Sequence, residues 1–334
     1  MATSASWQSY WIRLLVRARM RPHALRPIDP QWVRANMGRP RAARRFMARS
    51  TGARCVMLSA RASWVGGEQL TAATFDEQNG PVVLYLHGGG FIGCSPETHR
   101  SLAGSLAQRL RARTYVPAYR LAPEHRFPGA LEDALSAYRY LLDDEHIAPH
   151  RVIVAGDSAG GGLALSMLLA ARDRGMPLPR AIVTYSPWTD LAATGASLEE
   201  NSERCAMFAA ITIKRAATFY LGDADPYSPY ASPLYGDFRG FPPMLIHAST
   251  DEVLRDDSVR LAERARAVGV SVELRLWPRV PHVWQFFPAV LPEARQSLDD
   301  TRRFVEHICA THVCPTPHST HAAVTVSEHP RPVT

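Results

Sequence analysis

The sequence of 334 residues contains a single lysine, Lys214, few cysteines and no long uninterrupted apolar run. Without a run of about 18 apolar residues, no transmembrane helix is expected. The apolar part of the N-terminal segment is interrupted by Arg13 and is too short for a secretory signal peptide. The five cysteines are scattered, odd in number and never spaced as CxxC, so neither a disulfide framework nor a zinc site is expected. A reducing cytoplasm is therefore the expected location.

Positive charge is concentrated at one end of the chain. The formal net charge is +7, and residues 1–50 hold eleven arginines against one acid, Asp29. No pattern of interleaved aromatic and basic residues accompanies this charge, so nucleic-acid binding is not expected. A basic arm of this kind is usually a solvated helix face and occasionally a contact with a membrane surface.

Short strand-like runs alternate with helical patterns from about residue 75 onwards. The predicted strands are Val82–His87, Thr114–Tyr119, Val152–Ala155, Ala181–Ser186, Met244–Ser249 and Val272–Leu276, and the predicted helices are Pro96–Arg111, Glu132–Asp143, Ser158–Arg174 and Asp257–Val268. This alternation predicts an α/β fold with a mostly parallel sheet covered by helices on both faces. Residues 1–50 are predicted as one or two helices, and residues 311–334 as a disordered tail without a designed metal site.

A serine lies where a predicted strand meets a predicted helix, in the run Gly156-Asp157-Ser158-Ala159-Gly160. The G-x-S-x-G pattern is weak alone and gains weight here because an apolar strand precedes it and a helix follows. Flanking glycines permit the strained turn that would expose the hydroxyl at a helix N-terminus. Ser158 is predicted to be a nucleophile, and the competing interpretation is a simple helix N-cap.

A serine nucleophile needs a base and a group that orients the base. Asp251 follows one predicted strand, and His282 follows another strand late in the chain, between two apolar clusters. The order serine, acid, histidine is that of the α/β-hydrolase triad. We predict Asp251 as the acid and His282 as the base, with Glu252 a weaker contender for the acid.

Three glycines follow the most strand-like run, in His87-Gly88-Gly89-Gly90. Attack on an acyl carbonyl puts negative charge on oxygen, and a bare glycine turn lets backbone N–H groups approach that oxygen. We predict Gly88 and Gly89 as donors, with Ala159 as the third, while His87 braces the loop. A phosphate or dinucleotide site is not expected, since neither G-K-[ST] nor G-x-G-x-x-G is present in the required context.

Together these motifs resemble the hormone-sensitive-lipase family of α/β-hydrolases over about residues 75–310. The resemblance includes H-G-G-G at 87–90, G-D-S-A-G-G at 156–161, and the segments Tyr119–Asp133, Tyr185–Leu191 and Pro229–Ile246. The family's D-x-L-x-D-like acid motif corresponds to Asp251–Asp256, and its histidine motif corresponds to PHVWQFF. The resemblance implies an α/β-hydrolase domain, residues 51–310, under a helical cap formed by residues 1–50 and an insertion at about 188–225.

The resemblance also implies hydrolysis of short- to medium-chain acyl esters through an acyl-enzyme, with no metal or organic cofactor. A lactone hydrolase would use the same residues, since the layout is similar to that of monoterpene lactone hydrolases. An amidase or formamidase, a non-catalytic receptor and a membrane-surface protein are less favoured. The expected pocket walls are Phe91, Trp188, Phe208 and Trp284. A homodimer that pairs through the last strand is also considered.

Overall fold

The computed structural model describes residues 5–37 and 51–311, and within them an eight-stranded sheet forms the centre of the molecule. In chain order the strands are β1 (Arg54–Leu58), β2 (Gly67–Thr71), β3 (Val82–Leu86), β4 (Arg113–Pro117), β5 (Val152–Asp157), β6 (Ala181–Tyr185), β7 (Met244–Ser249) and β8 (Val272–Trp277). They lie in the order β1-β2-β4-β3-β5-β6-β7-β8, with β1 and β2 antiparallel to their neighbours and β3 to β8 parallel. The predicted α/β class is confirmed.

Helices cover both faces of this sheet. In chain order the helices of the described residues are α1 (Trp7–Ala24), α2 (Pro30–Met37), α3 (Pro96–Leu110), α4 (Gly129–Arg139), α5 (Ala159–Asp173), α6 (Ser197–Glu200), α7 (Ala210–Leu221), α8 (Arg255–Ala267) and α9 (Pro292–Thr311), of which α3, α4, α5, α8 and α9 pack on the sheet. Alternate residues of β3 point into different cores: Val82 and Leu84 pack with α4, α5 and α8, whereas Val83 packs with α3 and α9. Strands buried on both faces carry continuous apolar runs, which is why their bounds were predictable.

The carboxyl ends of the parallel strands meet at one edge of the sheet. β3 and β5 are in register from Val82 opposite Val152 to Leu86 opposite Gly156, so both strands end at the same level. The loop His87–Gly90, called the glycine loop below, follows β3. Ser158 follows β5, and Asp251 and Glu252 follow β7. In open α/β sheets this edge is where ligands bind, and the topology thus gathers the predicted site residues.

Helices α1, α2 and α7 lie together as neighbours outside the sheet. Thr212 of α7 donates a hydrogen bond from Oγ1 to the carbonyl of Ala24 at the end of α1 (2.6 Å). The predicted insertion at about 188–225 contains α6 and α7, and α1 and α2 occupy the arginine-rich N-terminal segment. Residues 38–50 and the predicted tail beyond 311 lie outside the described residues. In the part of the chain that is described, no helix is both long enough and apolar enough to span a membrane.

Candidate active site

Ser158 occupies a strained turn between β5 and α5. Its backbone has φ 53° and ψ −125°, a conformation that L-residues rarely adopt. The turn is tight enough to require glycine on both sides: a Cβ on Gly156 would lie 2.5 Å from the Gly160 carbonyl oxygen, and a Cβ on Gly160 would lie 2.1 Å from that of Leu86. Ser158 is 9 % exposed. The serine therefore sits where a nucleophile on a sharp strand-to-helix turn is expected.

His282 is buried and is held from one side by Glu252. Its Nδ1 donates to Glu252 Oε2 at 2.5 Å, and the side chains are 4 % and 1 % exposed. The other ring nitrogen, Nε2, is also buried and has no hydrogen-bond partner among the described residues. A histidine fixed through Nδ1 with Nε2 left available has the arrangement that a general base requires.

Glu252 is itself fixed by several donors. Its Oε1 accepts from the hydroxyl of Ser186 (2.9 Å) and from the backbone N–H of Ser249 (2.6 Å), at the ends of β6 and β7. The side-chain amide of Asn201 fixes the loop that carries Glu252, because it donates to the backbone carbonyls of Thr250 and Glu252, both at 3.0 Å. These hydrogen bonds compensate the buried carboxylate for the hydration free energy that it loses on leaving water.

The prediction that Asp251 is the partner of His282 is wrong. Asp251 points to the surface, where its carboxylate forms an ion pair with Arg13 of α1 at 2.8 Å and accepts from the Thr250 hydroxyl at 2.9 Å. Consecutive residues of a loop present their side chains in different directions, so only one of the two acids can face the histidine. The buried one is Glu252.

The sequence did contain a signal for Glu252. When the motif D-x-L-x-D is aligned on Leu254 and Asp256, its first position falls on Glu252 and not on Asp251. The prediction instead placed the first position of the motif on Asp251.

The glycine loop also differs from the prediction. The N–H of Gly88 donates to Asp157 Oδ1 at 3.0 Å, and the residue is buried against that carboxylate, so Gly88 is not available as an oxyanion donor. Gly89 (φ +124°) and Gly90 (φ +63°) are partly exposed, and their N–H groups have no acceptor among the described residues. Gly90 thus joins Gly89 as the open part of the loop.

The acceptor of the Gly88 N–H belongs to a buried polar group beneath the loop. Asp157 Oδ1 also accepts from the Tyr85 hydroxyl (2.7 Å) and lies 3.3 Å from His99 Nε2. Burial opposes the ionised form of Asp157, but His99 and the hydrogen bonds outweigh it, so the pKa of Asp157 lies below its ordinary value. A charged, fully buried carboxylate therefore anchors the loop.

His87 braces the same loop, as its position predicted. Its ring stacks on Tyr119 with centroids 4.2 Å apart, its Nδ1 donates to the Gly88 carbonyl (2.8 Å), and its own carbonyl accepts from the Tyr119 hydroxyl (2.6 Å). Burial, together with the neighbouring His99, lowers the pKa of His87 to about 3. The ring is neutral at physiological pH, which fits a structural role.

The four predicted wall residues divide into three groups. Phe208 is partly buried and meets His282 edge-on, with ring centroids 5.2 Å apart. Phe91 and Trp188 are core residues, each 2 % exposed, and the backbone N–H of Trp188 donates to the Ser158 carbonyl at 2.9 Å. Trp284 is fully buried in a separate cluster with Trp277.

A cavity of about 260 Å³ lies beside the open part of the glycine loop. It is enclosed by the end of α1, the segment that joins α1 to α2, α2 itself, α7 and Ile92. A Cβ on Gly90 would lie 3.8 Å from Ala216 and Ile92, two of the residues that line the cavity. Sequence reasoning missed this cavity because its walls come from segments far apart in the chain.

Comparison with known proteins identifies relatives of this chain by sequence and by structure. A family model for the alpha/beta hydrolase fold matches residues 83–286. An acetyl-hydrolase of Streptomyces hygroscopicus is 43 % identical over 68 % of this chain and 76 % of its own length, and an esterase of Acinetobacter venetianus is 32 % identical over 89 % and 96 %. The crystal structure of an esterase from the bacterial hormone-sensitive lipase family superimposes with a TM-score of 0.79 at 34 % identity, covering 92 % of this chain and 100 % of that one.

The fold of this chain agrees with that of these relatives. Other relatives carry the names carboxylesterase and ethyl acetate hydrolase. The chain therefore belongs to the hormone-sensitive-lipase family of α/β-hydrolases and is a carboxylesterase.

Proposed function

We propose that this carboxylesterase hydrolyses short- to medium-chain acyl esters through an acyl-enzyme on Ser158, with His282 as the base and Glu252 as the group that orients it. The observation that carries the proposal is the buried Glu252–His282 hydrogen bond, which leaves Nε2 of the histidine without a partner among the described residues. Asp251 has no part in the reaction.

The reaction begins when His282 Nε2 takes the proton of the Ser158 hydroxyl, and Oγ attacks the acyl carbonyl. The imidazolium then gives this proton to the leaving alcohol as the tetrahedral intermediate collapses. His282 next removes a proton from water, which attacks the acyl-enzyme, and returns the proton to Ser158 as the acid leaves. Glu252 keeps the tautomer with the proton on Nδ1 and stabilises the cationic ring.

The proposed donors to the oxyanion are the N–H groups of Gly89, Gly90 and Ala159. Ala159 is the first residue of α5, where backbone N–H groups have no acceptor within the helix. Donors fixed before the reaction lose little free energy in reorganising, so they favour the transition state over the ground state. No metal or cofactor has a role in this scheme.

The cavity beside Gly90 is our proposed site for one side of the ester. Its volume of about 260 Å³ is below the roughly 300–1,000 Å³ typical of ligand pockets, which supports small acyl groups. The names of two relatives, an acetyl-hydrolase and an ethyl acetate hydrolase, agree with a small acyl group.

The test is hydrolysis of aryl esters from acetate to palmitate, together with a seven-membered lactone, by the wild type and by Ser158→Ala. We expect the highest kcat/KM at short chains and no enzymatic rate in the variant. If the lactone is hydrolysed faster than the best open ester, the proposed substrate class becomes a lactone. Hydrolysis retained in Ser158→Ala would overturn the mechanism.

Two further expectations stay proposals. β8 is an edge strand of the sheet, so a dimer could pair there, and light scattering that gives a monomer mass would reject it. We also keep the cytoplasmic location as a proposal, supported by the absence of any disulfide among Cys55, Cys94, Cys205 and Cys309.

A further inference from the structure

Helix α1 directs three of its four arginines towards the protein and five of its large apolar side chains towards solvent. A surface helix ordinarily has the opposite orientation. Trp7, Trp11 and Leu15 lie at helical spacing and are 71 %, 57 % and 65 % exposed, and Tyr10 and Leu14 beside them are 61 % and 40 % exposed. These five residues form the exposed stripe of α1.

The opposite face explains this orientation. Arg13 pairs with Asp251 (2.8 Å) and Arg21 donates to the carbonyl of Phe208 (2.7 Å). Between them, Arg17 donates to the carbonyl of Glu203 (2.7 Å). The helix is therefore fixed by its arginines, and the exposed stripe is a consequence of specific attachment, not of a loosely held arm.

The exposed apolar surface extends beyond α1. Of the fourteen large apolar side chains that are exposed among the described residues, eight lie on α1, on the segment after it, on α2 or on α7. The three outside α1 are Leu25, Trp32 and Ile211. Large apolar side chains exposed on neighbouring helices in this number indicate an interaction site.

The charge near the stripe favours an anionic partner. Arg19 and Arg26 are exposed, and the described residues 5–37 contain six arginines against one acid, Asp29. Tryptophan, tyrosine and leucine beside arginine are the residues that lie at the boundary of a bilayer with an anionic surface. A second copy of this basic segment would bring like charges together, which disfavours a dimer through the stripe.

We propose that the exposed stripe of α1 docks the enzyme on the surface of a bilayer that contains anionic phospholipid, without inserting a spanning helix. The end of α1 and the residues up to α2 also enclose the cavity of about 260 Å³. Docking would hold that cavity close to the lipid surface. The proposal does not rest on the proposed function, because binding is measured without substrate.

The test is co-sedimentation of the full-length protein with vesicles of phosphatidylcholine alone or mixed equally with phosphatidylglycerol. The stripe variant carries Trp7→Ser, Trp11→Ser and Leu15→Ser. A matched control carries Met57→Ser, Leu276→Ser and Val290→Ser, which are exposed apolar residues elsewhere. We expect binding to the anionic vesicles that added salt weakens, at least tenfold weaker binding of the stripe variant, and wild-type binding of the control.

Equal binding of the stripe variant and the wild type would overturn the proposal, as would no binding by the wild type. A dimer in light scattering that only the stripe variant abolishes, without vesicle binding, would assign the stripe to a second copy. Melting temperature, and hydrolysis of a small water-soluble ester, should be unchanged in the stripe variant. These readouts separate loss of docking from loss of folding or of catalysis.

Discussion

Replacing Glu252 by glutamine tests the assignment of the acid while preserving the size of a fully buried side chain. The carbonyl oxygen of glutamine can still accept from Ser186 and Ser249, the two donors to Oε1. Its NH2 group then faces Nδ1 of His282, where the glutamate now accepts a hydrogen bond at 2.5 Å. The histidine is thereby favoured in the tautomer that carries its proton on Nε2, which cannot take the serine proton.

The expected loss of activity is large. The comparable change of acid to amide in Ser-His-Asp enzymes lowers kcat about 10⁴-fold, which corresponds to about 5 kcal/mol in the activation barrier. Asp251→Asn is the matched control, because it removes the adjacent carboxylate. That residue pairs with Arg13 at a partly exposed position, where an ion pair contributes about 0–1 kcal/mol, so kcat should change less than about fivefold.

The assay is the steady-state hydrolysis of an aryl acetate by the wild type, Glu252→Gln and Asp251→Asn, with melting temperatures to verify folding. The reasoning is refuted if Asp251→Asn loses as much activity as Glu252→Gln. It is refuted equally if a folded Glu252→Gln protein keeps more than about a tenth of the wild-type kcat.

Three other predictions concern pH, substrate size and folding. Burial and the charge of Asp190 raise the pKa of Asp257 to about 8. The contribution of this raised pKa to the free energy of unfolding is complete below about pH 4 and is lost as the pH rises through about 8. Asp257→Asn should flatten this decline, and denaturant unfolding that gives the same pH slope in both proteins would contradict the prediction. Ala216→Phe should fill part of the cavity and lower kcat/KM for an aryl hexanoate about 10- to 200-fold more than for an aryl acetate. An unchanged dependence of kcat/KM on acyl chain length would show that acyl groups bind elsewhere. In Gly160→Ala the new Cβ would lie 2.1 Å from the carbonyl oxygen of Leu86, so calorimetry should show destabilisation of about 1–3 kcal/mol, and an unchanged melting temperature would contradict the geometry of the turn.

The central strands were predictable because they are buried on both faces. The run Met244–Ser249 was predicted with the bounds that β7 has in the structure, and Ala181–Ser186 exceeds β6 by one residue. Continuous apolar, β-branched runs bounded by turns leave little ambiguity in such strands. The positions of Ser158 and His282 were predictable for a related reason, since each follows a recognisable strand.

The errors arose where a contact between distant parts of the chain decides the outcome. Gly88 and Gly89 look equivalent in the sequence, but Asp157, 69 residues away, binds the N–H of Gly88. Asp251 and Glu252 are adjacent in the sequence, and the donors from Ser186 and Ser249 fix Glu252, not Asp251, beside His282. The residues next to the two acids do not reveal these distant donors.

The orientation of α1 illustrates the same limit. The spacing of its residues predicted a helix, and its composition suggested a solvated basic face. Three of its four arginines instead face the protein, because carbonyl groups of residues 203–208 and the carboxylate of Asp251 lie within their reach. Which face of an amphipathic helix is attached depends on acceptors that the helix itself does not encode.

The central claim is that Ser158 carries the acyl group, and mass spectrometry of the rapidly quenched enzyme tests it most directly. Wild type mixed with an aryl butyrate should show a butyryl adduct on the peptide that contains Ser158, formed and lost at rates consistent with turnover. Ser158→Ala should form no adduct. An enzyme that turns over with no adduct on this peptide, or with the adduct on another residue, would contradict the account.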